Sequence, residues 1–219
     1  MAERFNAPVL KTGDGETRPG VRIPPPPFVL LCGSSDGIVH RIANPEKIVG
    51  DLPYKIATLV YIFNSRGQLL LLHRIKPPNQ HLYSPVGGKL EQAVGESPYQ
   101  CAVREVLEET GASLTVADIR LCGIVSERSY EGRGHWLMFC FESLKIIELP
   151  ETVIAEGRLE WVLPDAVNSK AIPDTDRQII WPLVRKHSVN LGGLAEVFSV
   201  HIDCRDPAKM AIMVEHPHD

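Results

Sequence analysis

The chain has 219 residues and a formal net charge of −4, with hydrophobic and charged contents of 44% and 23%. These values are typical of a soluble globular protein with one good-sized domain and an appendage. The sequence has no basic block, no apolar run near the ~18 residues of a membrane span, and no apolar core of a secretory signal near its start. We therefore expect neither a nucleic-acid polymer nor a membrane as partner, and we expect a cytoplasmic location.

The cysteines are scattered along the chain and form no C-x-x-C pair, which a zinc ribbon or a redox dithiol would need. We therefore expect them to be buried thiols in a reducing compartment. They are Cys32, Cys101, Cys122, Cys140 and Cys204.

Residues 1–52 are rich in proline, with four consecutive prolines at positions 24 to 27. This composition predicts an extended arm that serves either as a spacer or as a docking motif. Two apolar stretches, residues 28–32 and 38–42, are candidates for a short hairpin within the arm.

The main domain is predicted to span residues 53–219 and to be α+β. Patterns of β-branched and aromatic residues between turn signals predict most of its strands. A second helix is predicted over residues 174–187, capped by Asp174 or Thr175, and residues 190–219 predict a C-terminal hairpin. The predicted strands are residues 56–63, 69–73, 119–129, 135–143, 159–162, 195–203 and 210–215.

A first helix is predicted between residues 97 and 111. Ser97 can cap its start, Pro98 suits the first helical position, and Gln100 completes a capping box. Gly111 provides the stop.

Three carboxylates, Glu105, Glu108 and Glu109, lie on one face of this helix when residues are placed at about 100° intervals. A solvated acidic face is the ordinary interpretation of such a pattern. Like charges three and four residues apart repel each other, however, and a divalent cation would relieve that repulsion. The opposite face is predicted to pack on a core and carries Tyr99, Ala102, Val103, Val106, Leu107 and Thr110.

Residues 96–112 resemble the signature of the Nudix hydrolases. The order Glu96, Arg104-Glu105, Glu108-Glu109 and Gly111-Ala112 matches that signature position for position, and Gly87-Gly88 precedes it. Between Gly88 and Glu96 the chain has two residues more than the family pattern. We interpret them as a lengthened loop within residues 92–95.

The resemblance implies an α/β/α sandwich around a mixed sheet, and a hydrolase in which water attacks a phosphorus atom of a nucleoside diphosphate derivative. It implies that Mg²⁺, or Mn²⁺ in its place, is held by the Gly87 carbonyl and by box carboxylates. Glu96 and Arg104 would orient these acids. Glu156 is the preferred candidate for general base and further metal ligand, ahead of Glu109 and Glu127. The implied metal ligands are Gly87, Glu105, Glu108, Glu109 and Glu156.

Substrate recognition is assigned to Lys89, Tyr130 and Trp161, each with a structural alternative such as core packing for Trp161. Residues 159–162 and 172–177 resemble members that hydrolyse oxidised purine nucleoside triphosphates, and this is the favoured substrate class. ADP-ribose and dinucleoside polyphosphates are alternatives, and a catalytically silent ligand sensor is an alternative of another kind. The expected partner is a small-molecule nucleotide, with a homodimer as an option.

Overall fold

The computed structural model describes residues 52–216, so the proline-rich arm with its two candidate strands lies outside the described residues. Within residues 52–216 the elements largely follow the predicted order. They are β1 (Tyr54–Tyr61), β2 (Leu69–Arg74), β3 (Tyr83–Ser84), α1 (Pro98–Thr110), β4 (Ile119–Tyr130), β5 (Gly134–Ser143), β6 (Val153–Ile154), β7 (Gly157–Val162), α2 (Trp181–His187), β8 (Phe198–Asp203) and β9 (Ala211–His216).

The larger sheet has the strand order β1-β5-β4-β8-β9. Its β1–β5 and β4–β8 pairs are parallel, whereas its β4–β5 and β8–β9 pairs are antiparallel. A smaller antiparallel sheet has the order β3-β2-β7-β6. The predicted mixed sheet is therefore confirmed.

The larger sheet is covered on both faces. Because side chains alternate along a strand, β1 sends Val60 into one core and Tyr61 into another. The core with Val60 includes Val106 of α1, and the core with Tyr61 includes Val184 of α2. The two helices thus lie on opposite sides of the sheet, which confirms the expected α/β/α sandwich.

The second helix begins at residue 174 as predicted, but Asp176–Ile180 form a π-helical turn before α2. The predicted cap by Asp174 or Thr175 is wrong, since residue 174 is already helical and the Thr175 side chain makes no capping hydrogen bond. The Thr175 side chain instead lies close enough to Glu127 of β4 to lower the pKa of that carboxyl, which burial raises.

The C-terminal hairpin of β8 and β9 is confirmed, and it is built into the main sheet. β8 pairs with β4 in parallel over six residues, and its Phe198 ring lies against Gly123 so closely that a methyl group at Gly123 would overlap it. Four predicted buried thiols are also confirmed, Cys101, Cys122, Cys140 and Cys204, while Cys32 lies outside the described residues. No helix of residues 52–216 is long and apolar enough to cross a membrane.

Candidate active site

The start and the end of α1 are set by local contacts. The Ser97 hydroxyl accepts a hydrogen bond from the Gln100 backbone N–H at 3.3 Å, and the Gln100 side chain accepts one from the Ser97 backbone N–H at 2.9 Å. Gly111 ends the helix in the left-handed conformation, with φ of 74°. The predicted capping box and glycine stop are confirmed, and they fix which residues of α1 face the sheet.

Gly87 and Gly88 bring the preceding loop close to α1 and to β1. A side chain at Gly87 would strike the carbonyl oxygen of Thr58, and a side chain at Gly88 would strike the Glu105 carboxylate. Gly87 also has a φ of 147°, which side chains disfavour. Its backbone N–H donates a hydrogen bond to Glu109 Oε2 at 3.0 Å. The glycine pair therefore places backbone directly against two of the predicted acids.

Arg104 lies at the centre of the acidic cluster. Its guanidinium donates to Glu96 at 2.8 and 2.9 Å, to Glu105 at 2.8 Å, to Glu108 at 3.1 Å and to the Lys89 carbonyl at 3.1 Å. The hydrogen bond from Arg104 lowers the pKa of Glu96 to about 2. Arg104 and Glu96 thus form a charged pair, and the same guanidinium also holds the Glu105 carboxylate.

The two extra residues of the signature lie in an exposed turn. Gln92–Val94 form a single 3₁₀ turn, and Gly95 closes it in the left-handed conformation. Glu96 follows and accepts a hydrogen bond from the Glu91 backbone N–H at 2.8 Å. The lengthened loop leaves Glu96 within reach of Arg104.

The three helical acids differ in burial, unlike the single exposed face that the sequence predicts. The Glu108 side chain is 57% exposed and that of Glu105 is 14% exposed, whereas Glu109 as a residue is only 5% exposed. Leu107, predicted to face the core, is 52% exposed. The buried arc of α1 runs from Cys101 through Glu109 to Val106, because the glycine loop covers the helix on that side. The prediction of the buried face was wrong by roughly a quarter turn.

Glu109 has a buried oxygen without a partner. Its Oε2 accepts from Gly87, but its Oε1 has no hydrogen-bond partner within the described part of the chain. Burial raises the pKa of Glu109, and the nearby carboxylates of Glu156 and Glu105 raise it further. Burial also raises the pKa of Glu105. The carboxylates of Glu105 and Glu156 thus lie near enough to Glu109 to raise its pKa, and oxygen donors of this kind suit Mg²⁺ or Mn²⁺.

These donors are not yet arranged around a common point. Within residues 52–216 no group of three acidic, histidine or cysteine side chains is already set at metal-binding separations. Arg104 holds Glu105 and Glu108, and Arg74 holds Glu156 at 3.4 Å. The residues fit a divalent cation by chemistry and proximity, and binding one would require the acids to exchange their arginine partners for it.

A cavity of about 410 Å³ opens beside these acids. One group of its lining residues comes from the glycine loop, α1 and the turn before β7. A second group comes from β4, β5 and the first residues of the second helix. The first group is Gly87, Gly88, Lys89, Arg104, Glu105 and Glu156, and the second is Glu127, Tyr130, Trp136, Met138, Thr175 and Asp176.

Two carboxylates belong to the second group. Glu127 is 4% exposed, and burial raises its pKa to about 8. Burial likewise raises the pKa of Asp176 to about 7. Sequence reasoning named Glu127 only as a lesser candidate base and missed Asp176, although Asp176 lies in the 172–177 stretch that carried the substrate resemblance. It also missed Arg74, a cation at the end of an apolar strand that lines the cavity.

The three predicted substrate-binding residues do not lie together in the structure. Lys89 and Tyr130 line the cavity, and the Tyr130 hydroxyl donates to Asn79 Oδ1 at 3.0 Å. Trp161 packs against the core on the α1 side of the sheet, and its indole N–H donates to the Leu149 carbonyl at 2.8 Å. The structure therefore does not bring Trp161 together with the others.

Comparisons with known proteins point to one family. A family model described as a NUDIX domain matches residues 53–181. A Bacillus subtilis (strain 168) protein provisionally named 8-oxo-dGTP diphosphatase is 28% identical over 126 residues, which cover 58% of this chain and 78% of that relative. An RNA pyrophosphohydrolase of Azorhizobium caulinodans is 38% identical over 64 residues, which cover 27% of this chain and 37% of that relative.

Solved structures share the fold. A MutT protein from Bacillus halodurans superposes with a TM-score of 0.57 at 22% sequence identity, covering 75% of this chain and 99% of that chain. A MutT protein from Methanosarcina mazei Go1 has a TM-score of 0.54 at 23% identity, covering 63% of this chain and 98% of that chain. At these identities the likeness shows the fold alone.

Proposed function

Because this chain belongs to the Nudix family, whose domain model matches residues 53–181, we propose that it hydrolyses a purine nucleoside triphosphate, oxidised forms included, to the monophosphate and pyrophosphate. The family that the signature predicts is confirmed, and the chain is a Nudix hydrolase acting on nucleotide derivatives. The observation that carries the proposal is the buried oxygen of Glu109 that has no partner among the described residues, because the neighbouring carboxylates of Glu105 and Glu156 line the cavity.

Mg²⁺, with Mn²⁺ as a substitute, would be held by Glu105, Glu108, Glu109, Glu156 and the Gly87 carbonyl. When bound, the cation supplies charge neutralisation and Lewis acidity to the phosphate oxygens. Arg104 and Glu96 keep the acids oriented, since their charge-assisted hydrogen bonds fix the Glu105 carboxylate.

Lys89 and Glu156 would act on the substrate and on water. Lys89 lines the cavity beside the glycine loop and would bind a phosphate as a point charge. The Glu156 side chain is 44% exposed and lines the same cavity, so water can reach it. It would accept the proton of the water that attacks phosphorus.

The second group of lining residues supports a purine. Trp136 and Met138 form an apolar wall of the cavity, and a purine ring needs such an apolar surface to pack against. Burial raises the pKa of Glu127 to about 8 and that of Asp176 to about 7, so each carboxyl is partly protonated near neutral pH. A protonated carboxyl donates a hydrogen bond and an ionised one accepts, and together they complement the donors and acceptors of a purine edge. The Bacillus subtilis relative named for 8-oxo-dGTP supports the same class.

The test is a panel of nucleoside triphosphates, oxidised purine triphosphates, ADP-ribose and a dinucleoside polyphosphate with Mg²⁺, with chromatographic separation of the products. We expect purine triphosphates to give the monophosphate and pyrophosphate with the highest kcat/KM. Preferred cleavage of ADP-ribose to AMP and ribose 5-phosphate would overturn the substrate class. Tight binding of a nucleotide without turnover of any panel member would favour a ligand sensor.

Reaction in ¹⁸O-labelled water tests the mechanism. Label in the monophosphate or the pyrophosphate supports water attack at phosphorus. Label in neither product contradicts that mechanism. The control is Glu109→Gln, which should have much lower turnover, so that little ¹⁸O is incorporated into the products.

A further inference from the structure

Arg74 is held firmly at the cavity. Its backbone N–H donates to the Leu82 carbonyl at 2.9 Å, and its own carbonyl accepts from the His81 N–H at 2.8 Å. The Nε atom donates to the Pro78 carbonyl at 3.0 Å, and the side chain is 13% exposed. One terminal nitrogen contacts Glu156 at 3.4 Å. The guanidinium is therefore pre-positioned by backbone, while its contact with Glu156 is long.

Glu156 lies between this cation and the acids of α1. It occupies the turn between β6 and β7, and its backbone carbonyl accepts from the Ile75 N–H at 3.0 Å. Its carboxylate contacts Arg74. Among the acidic residues it also raises the pKa of Glu109 the most. The Glu156 carboxylate is therefore shared between the Arg74 guanidinium and the acids of α1.

The two arginines that line the cavity differ in what they can still bind. Arg104 is fully engaged with Glu96, Glu105, Glu108 and the Lys89 carbonyl. The Arg74–Glu156 pair has a half-exposed carboxylate at 3.4 Å, and such pairs are typically worth below ~1 kcal/mol. A phosphate can form a two-point contact with a guanidinium, which is stronger. An entering phosphate can therefore take the place of Glu156.

We propose that Arg74 exchanges Glu156 for a phosphate of the substrate, and that this exchange releases Glu156 to the carboxylate cluster of Glu105 and Glu109. The inference rests on the proposed function of the cavity. Arg74 is then a positioning residue, which withholds Glu156 until a phosphorylated ligand enters. Because coupling between two ligands is reciprocal, the Arg74–Glu156 pair opposes cation binding when no phosphate is present.

The direct test measures Mn²⁺ binding to the full chain without any nucleotide, by the electron paramagnetic resonance of free Mn²⁺. Removing the competing cation in Arg74→Gln should tighten Mn²⁺ binding about two- to fivefold, the range for losing an exposed ion pair. In the Glu156→Gln background the same change should have no effect. A gain that persists in that background overturns the exchange, as does Mn²⁺ binding unchanged by Arg74→Gln.

The matched control is Arg158→Gln, two residues from Glu156 in the same hairpin. Its guanidinium contacts Glu151 at 3.3 Å and is 56% exposed. This variant removes the same charge without touching Glu156, so it measures the general electrostatic effect. The gain in Mn²⁺ affinity must be larger in Arg74→Gln than in Arg158→Gln. Equal gains in affinity in the two variants contradict the proposal. Thermal unfolding confirms that each variant is folded.

A second measurement separates this inference from the proposed function. Arg74→Gln should raise KM for the preferred nucleotide about tenfold, and Arg74→Lys should recover part of the loss because it keeps the charge but not the fork. An unchanged KM in Arg74→Gln overturns the phosphate half of the exchange. The Mn²⁺ titration needs no substrate, so it decides the Glu156 half even when no nucleotide of the panel is hydrolysed.

Discussion

Glu109 combines burial with an unpartnered oxygen, and this makes it the sharpest residue to test. Glu109→Gln keeps an acceptor for the Gly87 N–H but removes the negative charge. We expect kcat to fall by ~10²–10⁴, the range for losing a positioned acid–base or electrostatic group. The fold should persist, because burying a carboxylate with one oxygen unbonded is costly and a neutral amide relieves part of that cost. Steady-state kinetics and urea unfolding measure the two effects.

The comparison variant is Glu108→Gln, whose side chain is 57% exposed. It should also lower kcat within the same range, but it should leave stability within ~0.5 kcal/mol as ordinary surface changes do. Wild-type turnover in the double variant would contradict the assignment of both acids.

Glu127 should make stability depend on pH in a recognisable direction. Its pKa is raised from 4.5 to about 8 in the folded chain because burial disfavours the charge. A raised folded pKa gives stability that is complete below about pH 4.5 and is lost as the pH rises through about 8. Glu127→Gln should therefore flatten the fall in unfolding free energy between pH 5 and 8, by up to a few kcal/mol.

Urea unfolding in chelator at several pH values measures this slope. Glu131→Gln, which changes an exposed carboxylate in the loop after β4, is the control and should keep the wild-type slope. Identical slopes in the wild type and in Glu127→Gln would show that Glu127 does not titrate across this window.

The sequence predicts which acidic residues belong to the site, but it does not predict how deeply each of them is buried. The spacing of Glu105, Glu108 and Glu109 along a helix is local and follows from helix geometry. Which of them is buried depends on Gly87 and Gly88, whose loop lies some twenty residues earlier and reaches α1 only in the folded chain. For the same reason the sequence did not predict Asp176 and Arg74 as site residues, since they reach the cavity from other elements.

The turn of Gln92–Val94 should be dispensable for the chemistry. Ala93 and Val94 are exposed, and Val94 is 74% exposed. Deleting both residues restores the usual spacing of the signature and leaves Glu96 beside Arg104. Metal-dependent activity should stay within about tenfold, or ~1.4 kcal/mol in barrier. Kinetics of the deletion variant measure this. Complete loss in a folded variant would show that the turn helps to form the site.

Elements with strong local signals were predicted well, and the pairing of distant elements was not. The capping box at Ser97 and the stop at Gly111 fix the ends of α1 through contacts within a few residues. The hairpin of β8 and β9 was recognised from its own pattern. Its parallel pairing with β4, some seventy residues earlier, leaves no local signal in either strand. The contact of Phe198 with Gly123 is specific, but the sequence around either residue does not predict that contact.

At the scale of the whole molecule, β8 links the part outside the family match to the main core. The match ends at residue 181, and β8 follows it. Phe198, Val200 and Ile202 are all fully buried against β4 and α2. Burying such a side chain contributes about 1.5–3 kcal/mol, so three of them approach the 5–15 kcal/mol of a typical domain's total stability. The family-matched region should therefore not be stable without β8.

Two truncations test this dependence. Ending the chain after Leu194 removes β8 and β9, and we expect loss of the cooperative unfolding transition, measured by circular dichroism on heating. Ending it after Arg205 removes only β9, where four of six residues are exposed. That variant should keep a cooperative transition with a smaller loss of stability, because β8 still covers the core. A chain ending at Leu194 that unfolds cooperatively and retains nucleotide hydrolysis would show that the sheet closes at β4 and that β8 is only an attachment.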